Sequence, residues 1–301
     1  MTTTPEKATV LASTDEYFGE QHVYQPHRAG IPDLRVYWKE LLRRRHFAAE
    51  LSRSQMRAAH TNTFFGQLWL VLNPLLLATV YYVLVDLLST RKGGAPHGYF
   101  AHLCSGLFAF YFIAACMTTG GQSVIGGGKL VMNTAFPRLL LPLSAVRSAF
   151  FRFMPTMIVY VALHLIARLP ITFGLLAVVP ILVLITLFGS GLACLFGLLY
   201  IYFRDISSFL PYFNRIWLYM SPVILTVQQI HEKFAGAHVS WLAYFNPLYP
   251  LLGSWSNLLS SGGTELPSLA FWFSATVWSV GMFVFGTVLF MSREREFAVR
   301  I

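Results

Sequence analysis

The sequence predicts an all-α, polytopic membrane protein with six transmembrane helices. Hydrophobic residues occupy 55% of the 301 positions and charged residues only 12%, about half the charged fraction of an ordinary soluble domain. The charges stand mostly at the ends of long apolar stretches. A net charge of +9 with this distribution indicates the ends of membrane spans and argues against a nucleic-acid surface. An N-terminal amphipathic helix and a re-entrant or outer-leaflet helical pair between spans five and six complete the predicted fold.

The chain begins with two polar segments of different texture. Residues 1–32 predict a flexible cytoplasmic tail, because they are polar and hold no apolar stretch of the signal-peptide type. Residues 33–60 place apolar and aromatic side chains on one helical face and cations on the other, which is typical of a helix lying in the membrane interface. A helix packed on the protein itself is the alternative. The apolar face consists of Leu34, Tyr37, Trp38, Leu41, Leu42 and Ala48.

Residues 61–301 predict the transmembrane domain, since an uncharged stretch of about 20 residues can cross a bilayer as a helix. The stretch at 241–259 is apolar but contains Asn246, Pro247 and Pro250. It predicts the helical pair, because broken helices occur at membrane depth only where protein or a cavity covers them. The six spans are residues 64–85; 99–122; a third that starts with Arg147 and Arg152 near its cytoplasmic end and runs through 153–167; one tilted span within 169–203; 209–227; and 266–292.

The positive charges support a topology with both termini in the cytoplasm. In that topology all but four of the 22 Lys and Arg residues lie on the cytoplasmic side, as the positive-inside rule requires. The exceptions are Arg91, Lys92, Arg168 and Lys233. A seventh crossing at 241–259 would place the arginine-rich C-terminal end outside. Arg215 falls inside the fifth span, where snorkelling to the cytoplasmic headgroups is favoured and a cationic contact in a transport path is the alternative.

A basic segment without any acid, residues 126–152, separates the second and third spans and is predicted to be cytoplasmic. Three glycines open it, and a short helix is expected to end where Pro137 removes helical geometry from the preceding residue. A small cytoplasmic knob with an exposed Phe136 is the expected result. The cations of this segment are Lys129, Arg138, Arg147 and Arg152.

The sequence gives little support to nucleotide or redox chemistry in this chain. Gly128 and Lys129 are the nearest approach to a phosphate-binding loop, but Leu130 follows where that loop needs a metal-binding hydroxyl. The three cysteines lie inside apolar stretches at spacings that predict neither a disulfide framework nor a metal site. No cofactor is therefore expected here.

Acidic chemistry is equally sparse. Asp86 and Asp205 are the only acids between Glu50 and Glu232, and each stands at the end of a span. A proton-coupled carrier normally buries a carboxylate in mid-membrane, and a glycosyltransferase needs an acidic cluster. Both classes are disfavoured.

Aromatic residues are abundant in the first two spans. Their faces can stack on sugar rings without depending on charge, although a lipid-facing belt or helix packing is the alternative for each of them. The candidate path residues are Tyr81, Tyr82, Phe108, Phe110, Tyr111 and Phe112.

Short motifs follow one another in order along the chain. They are Phe65-Gly66, Leu68-Trp69 and Pro74; Ser105-Gly106-Leu107 with Phe110; Asn133 and Phe136-Pro137-Arg138 with Leu141-Pro142-Leu143; Tyr202 and Arg204-Asp205-Ile206; Ser221-Pro222-Val223-Ile224; and Asn246-Pro247-Leu248 with Pro250. With these motifs in a six-span topology, the chain from Asp33 onward resembles the membrane subunit of ABC-2-type polysaccharide or polyol-phosphate exporters.

That resemblance implies a permease of the bacterial plasma membrane that dimerises with a second copy and binds two cytoplasmic ATPase subunits. ATP and Mg would belong to the partner subunits, and this chain would not be an enzyme. The spans would pass a lipid-linked glycan along the aromatic residues. The implied coupling residues are Asn133, Phe136, Pro137 and Arg138, and the implied outer gate is Asn246, Pro247 and Pro250.

Within the family, the chain most resembles actinobacterial exporters of lipid-linked cell-wall galactan. An exporter of teichoic acid or O-antigen is the alternative within the same class. A multidrug-type efflux permease and a membrane scaffold without transport activity are the alternatives from other classes.

Overall fold

The computed structural model describes residues 34–58, 68–89, 98–128, 136–203, 205–230 and 240–297, all within the unit Ile31–Ile301. Nine α-helices lie wholly within these residues, which contain no strand, and this confirms the all-α prediction for them. The helices are α1 Leu34–Arg43, α2 Arg45–Ala58, α3 Trp69–Ser89, α4 Tyr99–Gly126, α5 Leu140–Ile166, α6 Val178–Tyr202, α7 Ile206–Tyr219, α8 Leu248–Ser260 and α9 Leu269–Arg293. Short 3₁₀ segments occupy Phe173–Ala177, Ser240–Phe245 and Glu294–Glu296. The predicted tail, residues 1–32, lies outside the described residues.

Four helical stretches within the described residues are long and apolar enough to cross a bilayer. They are Tyr99–Gly126, Leu140–Ile166, Phe173–Tyr202 and Leu269–Arg293, and α3 adds the shorter apolar stretch Val71–Leu87. These helices indicate a multi-pass membrane protein. The total of six spans, the side of each terminus and the re-entrant nature of the pair remain predictions.

Helix α4 forms the centre of the bundle. It packs against α3, α5, α6 and α8, and its side chains are buried along most of its length. The indole N–H of Trp255 on α8 donates to the carbonyl of Ser105 on α4, with a nitrogen–oxygen distance of 3.0 Å. Both residues are fully buried, so this bond satisfies a polar group that has no access to water.

Helices α6 and α9 approach each other through glycine. A Cβ atom at Gly286 would collide with the backbone of Gly191, and one at Gly191 would collide with the backbone of Met282. Small residues allow this close backbone packing in membranes, where van der Waals contact largely drives helix association.

The segment joining α4 and α5 is shorter than the sequence predicts. Helix α5 begins at Leu140. Pro142 does not prevent this start, because it falls in the first turn, where a missing N–H costs no helical hydrogen bond. Arg147 and Arg152 lie on α5, near the start of the predicted third span. The Arg147 guanidinium lies 5.4 Å from the centre of the Phe151 ring, a cation–π contact.

Helix α7 ends at Tyr219, well before the predicted end of the fifth span at residue 227. Pro222 explains the difference, since proline disfavours helical geometry at the residue that precedes it. With 14 residues, α7 is about 21 Å long at about 1.5 Å per residue.

The predicted interfacial helix is divided into α1 and α2, with the break at Arg44. Leu41 is buried, and Tyr37 and Trp38 pack against the cluster that contains Phe290 and Phe297. Part of the apolar face thus packs on the protein, as in the alternative given above. Leu42 is 61% exposed, so the lipid contact of this region remains a prediction.

Candidate functional site

An aromatic groove lies between α3, α4 and α7. It encloses about 680 Å³, within the range of roughly 300–1,000 Å³ that small-molecule sites occupy. The hydroxyls of Tyr81 on α3 and Tyr219 on α7 are 3.4 Å apart, and their rings meet edge to face at 6.4 Å. We call this feature the tyrosine groove; its principal lining residues are Tyr81, Phe110, Tyr111, Asn214, Arg215 and Tyr219.

Half of the predicted path residues lie in the tyrosine groove, namely Tyr81, Phe110 and Tyr111. On α4 the lining continues at residues 114, 115 and 118, as the helical period requires.

The other predicted path residues lie elsewhere in the bundle. Phe108 and Phe112 are buried in the core, where the Phe112 ring stacks on Phe153 at 5.1 Å. Tyr82 contacts Phe100 edge to face at 5.5 Å. The aromatic residues of α4 therefore have two roles: Phe110 and Tyr111 line the groove, whereas Phe108 and Phe112 only pack against other helices.

Arg215 contributes a cation to the tyrosine groove. It lies on α7 nine residues after Ile206, about 14 Å along the axis, and lines the groove together with Tyr111 of α4. Snorkelling to the cytoplasmic headgroups and a cationic contact in the transport path both remain predictions for Arg215.

Sequence reasoning missed Tyr219 and Asn214. Tyr219 stands four residues after Arg215 and so shares its helical face, which is the signal that could have identified it. The side-chain oxygen of Asn214 is buried in this groove without a hydrogen-bond partner. A ligand hydroxyl could supply the missing donor.

The predicted coupling segment packs on the protein more closely than the sequence indicates. Asn133 lies outside the described residues. Phe136 is half-buried, with its ring centre 5.5 Å from that of Phe47 on α2, and Pro137 is buried. The expectation of an exposed Phe136 is therefore met only in part, because α2 covers one side of the ring.

Arg138 joins the coupling segment to the end of the last long helix. Its backbone N–H donates to Glu294 Oε1 at 2.7 Å, and its guanidinium donates to the backbone carbonyl of Glu294. The hydroxyl of Tyr37 on α1 donates to Glu294 Oε2 at 2.6 Å. We call this set of contacts the Glu294 clasp; it consists of Tyr37, Arg138 and Glu294.

The clasp is partly desolvated. Burial, and then the charge of Glu294, raise the pKa of the Tyr37 hydroxyl far above its usual range, so this tyrosine stays a hydrogen-bond donor. Burial lowers the pKa of the Arg138 guanidinium, and the Glu294 carboxylate opposes that effect. The Glu294 carboxylate accepts from the Tyr37 hydroxyl and the Arg138 backbone, and the Glu294 backbone carbonyl accepts from the Arg138 guanidinium, so one residue holds three parts of the chain together.

Asn246, predicted for the outer gate, connects the end of α7 to the start of α8. Its amide donates to the carbonyl of Met220 at 2.8 Å, and its side-chain oxygen accepts from the indole of Trp217 at 3.1 Å. The same oxygen accepts from the backbone N–H of Leu248, which satisfies a free donor at the start of α8.

The two prolines predicted for the gate differ in position. Pro247 immediately precedes α8 and coincides with the break that the sequence predicts. Pro250 lies in the first turn of α8, where proline is tolerated, and the helix continues past it to Ser260. Of the three residues predicted for the gate, Asn246 and Pro247 lie at a break between helical segments, and Pro250 lies within α8.

No metal centre is found among the described residues, which contain no group of three or more His, Cys, Asp or Glu side chains close enough to hold an ion.

No family model matches the chain. Three relatives, each named O-antigen export system permease protein RfbA, are similar to it. One from Klebsiella pneumoniae is 28% identical over 213 residues, which cover 70% of this chain and 79% of the relative. A second from Klebsiella pneumoniae is 26% identical over 247 residues, covering 81% and 92%. One from Myxococcus xanthus is 24% identical over 269 residues, covering 87% and 98%. The chain is thus similar over most of its length to proteins that are named as transport components and not as enzymes.

Proposed function

We propose that this chain is the permease subunit of an ATP-driven exporter that moves a lipid-linked polysaccharide from the cytoplasm across the bacterial plasma membrane. The observation that carries the proposal is the similarity, over most of the chain, to proteins named as O-antigen export permeases. The long apolar helices and the tyrosine groove support it.

The energy for export would come from a separate ATPase. The sequence has no phosphate-binding loop of its own, so ATP and Mg would be bound by two cytoplasmic partner subunits. The coupling segment around Phe136 would contact the ATPase, and the Glu294 clasp would carry its movement to α1 and to the end of α9. A second copy of the chain would complete the path.

The tyrosine groove has chemistry suited to a polysaccharide. Tyr81, Tyr111 and Tyr219 offer aromatic surface with hydroxyls at its edge, and Arg215 offers a cation. Aromatic faces bind sugar rings without a strict sequence requirement, and the cation suits an acidic group or the phosphate of a lipid carrier.

The cargo we propose is a cell-wall galactan, on the strength of the resemblance stated above. The names of the similar proteins favour the alternative within the class, an O-antigen exporter or, by the same chemistry, a teichoic-acid exporter.

The direct test is depletion of the protein in its native cell, followed by analysis of lipid-linked saccharides on each side of the membrane. We expect a long lipid-linked glycan to accumulate on the cytoplasmic side, and its sugars identify the cargo. A normal glycan distribution with altered sensitivity to small hydrophobic compounds would instead support a multidrug-type efflux permease.

A further inference from the structure

A second cavity lies at the opposite end of the bundle from the coupling segment. It encloses about 750 Å³ between the start of α4, the residues that follow α7, and the helices α8 and α9. In the predicted topology this is the extracytoplasmic end. We call it the outer cavity; the residues that matter here are Tyr99, His102, Gln229, Tyr244, Asn257 and Glu265.

One wall of the outer cavity is aromatic. The rings of Tyr244, Tyr249 and Phe271 contact one another with centres 5.2 to 5.5 Å apart. At this spacing the rings fill the space between themselves, so they cannot surround a cation as an aromatic cage does. The rings meet edge to face or tilted, so they form a compact apolar cluster whose exposed edges and faces a sugar ring can contact.

Polar groups stand around that aromatic wall. The carboxylate of Glu265 is exposed and accepts a hydrogen bond from the Asn257 amide at 3.1 Å, so its remaining lone pairs are available to a ligand. The side-chain oxygen of Gln229 accepts from the Thr226 backbone at 3.1 Å, which holds this amide at the rim.

His102 adds a buried polar atom without a partner. The residue is only 3% exposed, and its ring is parallel to that of Tyr99 at 6.2 Å. Nε2 is buried with no hydrogen-bond partner. An imidazole nitrogen donates or accepts according to its tautomer, and a ligand hydroxyl would satisfy it in either case.

The charges of the outer cavity select the ligand class. Glu265 places a carboxylate at the rim of the outer cavity. A carboxylate repels phosphate and pyrophosphate groups, so these are disfavoured beside Glu265, in contrast to the tyrosine groove with Arg215. A neutral, polyhydroxylated ring satisfies the aromatic wall, the carboxylate, the amides and the imidazole together.

We propose that the outer cavity is a saccharide-binding subsite that holds a sugar residue of the exported glycan as the chain leaves the membrane. This inference rests on the proposed function for the identity of the ligand, but the site is defined by side chains of α4, α8 and α9 together with those of the segments that precede and follow α8. It lies within a single copy of the chain and is separate from the tyrosine groove.

The test uses the purified full-length chain in lipid nanodiscs. Binding is measured by calorimetry and saturation-transfer NMR for oligosaccharides released from the producing cell's own envelope polysaccharide, and for methyl galactopyranoside. Inorganic phosphate and phosphocholine serve as headgroup probes. We expect saccharide binding and no binding of either headgroup probe at this cavity.

Two variants locate the binding. Glu265→Gln keeps the size of an exposed side chain and replaces the charged carboxylate by a neutral amide. The hydrogen bond from a sugar hydroxyl to the carboxylate is lost, so saccharide affinity should fall about tenfold or more. Tyr244→Ala removes part of the aromatic wall and should also weaken binding. Asp86→Asn is the matched control and should leave binding unchanged. It neutralises an exposed carboxylate near the C-terminal end of α3, and Asp86 is not among the lining residues of the cavity.

The proposal is overturned if saccharides do not bind, if Glu265→Gln and Tyr244→Ala bind as well as Asp86→Asn, or if only phosphocholine or phosphate binds at the cavity. These outcomes are distinct from failure of the proposed function. If depletion causes glycan accumulation but saccharides do not bind at the outer cavity, the exporter proposal is supported and the subsite proposal is wrong. If saccharides bind but the glycan distribution on depletion is normal, the subsite proposal is supported and the exporter proposal is wrong.

Discussion

At the scale of single residues, the structure changes the meaning of the coupling segment. Phe136 and Arg138 would contact an ATPase if they were free, but Phe136 packs on Phe47 and Arg138 belongs to the Glu294 clasp. A substitution at either position therefore removes an internal contact as well as any contact with a partner. Tests at this scale need variants that separate the two.

Phe136→Ala should weaken binding of the partner ATPase to the purified permease by roughly thirtyfold. That is the cost of about 2 kcal/mol for losing a buried aromatic anchor at an interface. Phe47→Ala is the matched control, because it removes the same ring contact from the side of α2. Equal losses for the two variants would mean that Phe136 acts by packing and not by contact with the ATPase.

Arg138→Glu should reduce export strongly, since it places a second carboxylate beside Glu294 and removes a charged hydrogen bond worth about 1.5–3 kcal/mol. Glu294→Ala is the matched comparison, because it removes the clasp carboxylate and leaves Arg138 in place. Export measured in cells that lack the native protein decides the role of Arg138. An equal loss of export in both variants assigns Arg138 to the clasp, whereas a much larger loss in Arg138→Glu assigns it to the partner surface.

At the scale of elements, glycine determines how closely α6 and α9 pack. Gly191 and Gly286 bring the two backbones into contact, and neither position has room for a Cβ atom. The same helix α9 carries Gly281, around which a Cβ would meet nothing within 4 Å. The two glycines of α9 thus form a natural comparison.

Gly286→Val should destabilise the bundle by about 1–3 kcal/mol or more, because the added side chain must separate two backbones that cannot yield locally. Gly281→Val introduces the same residue into open space and should have little effect. Thermal unfolding of both variants in the same detergent is the measurement. A similar loss of stability for both would show that the contact with Gly191 does not set the cost, since valine has a higher helix propensity than glycine and propensity alone predicts no loss.

At the scale of the whole molecule, the positive-inside rule predicts that the coupling segment and the outer cavity lie on opposite sides of the membrane. Glu265 and Arg53 are exposed residues at these two ends, and the three native cysteines are buried. Single cysteines introduced at Glu265 and Arg53 therefore allow the topology to be tested by thiol labelling.

In intact cells a membrane-impermeant maleimide should label Glu265→Cys and spare Arg53→Cys, and permeabilised cells should label both. The unmodified protein, with its buried cysteines, is the background control. Labelling of Arg53→Cys in intact cells would overturn the predicted orientation, and with it the assignment of the outer cavity to the extracytoplasmic side.

The sequence by itself determined the all-helical class, the long apolar helices and the break at Asn246-Pro247. These features depend on hydropathy over about 20 residues and on proline geometry, which are properties of local sequence. The same patterns placed Tyr81, Phe110 and Tyr111 among the candidates for a path.

Only the tertiary structure decided which aromatic residues share a cavity. Phe108, Phe110 and Phe112 all belong to the core cluster, but of these three only Phe110 also lines the groove, because adjacent positions on a helix face different neighbours. The Glu294 clasp and the outer cavity each join residues more than 100 positions apart. No local pattern encodes such contacts, since they arise when helices pack and bring distant side chains to one place.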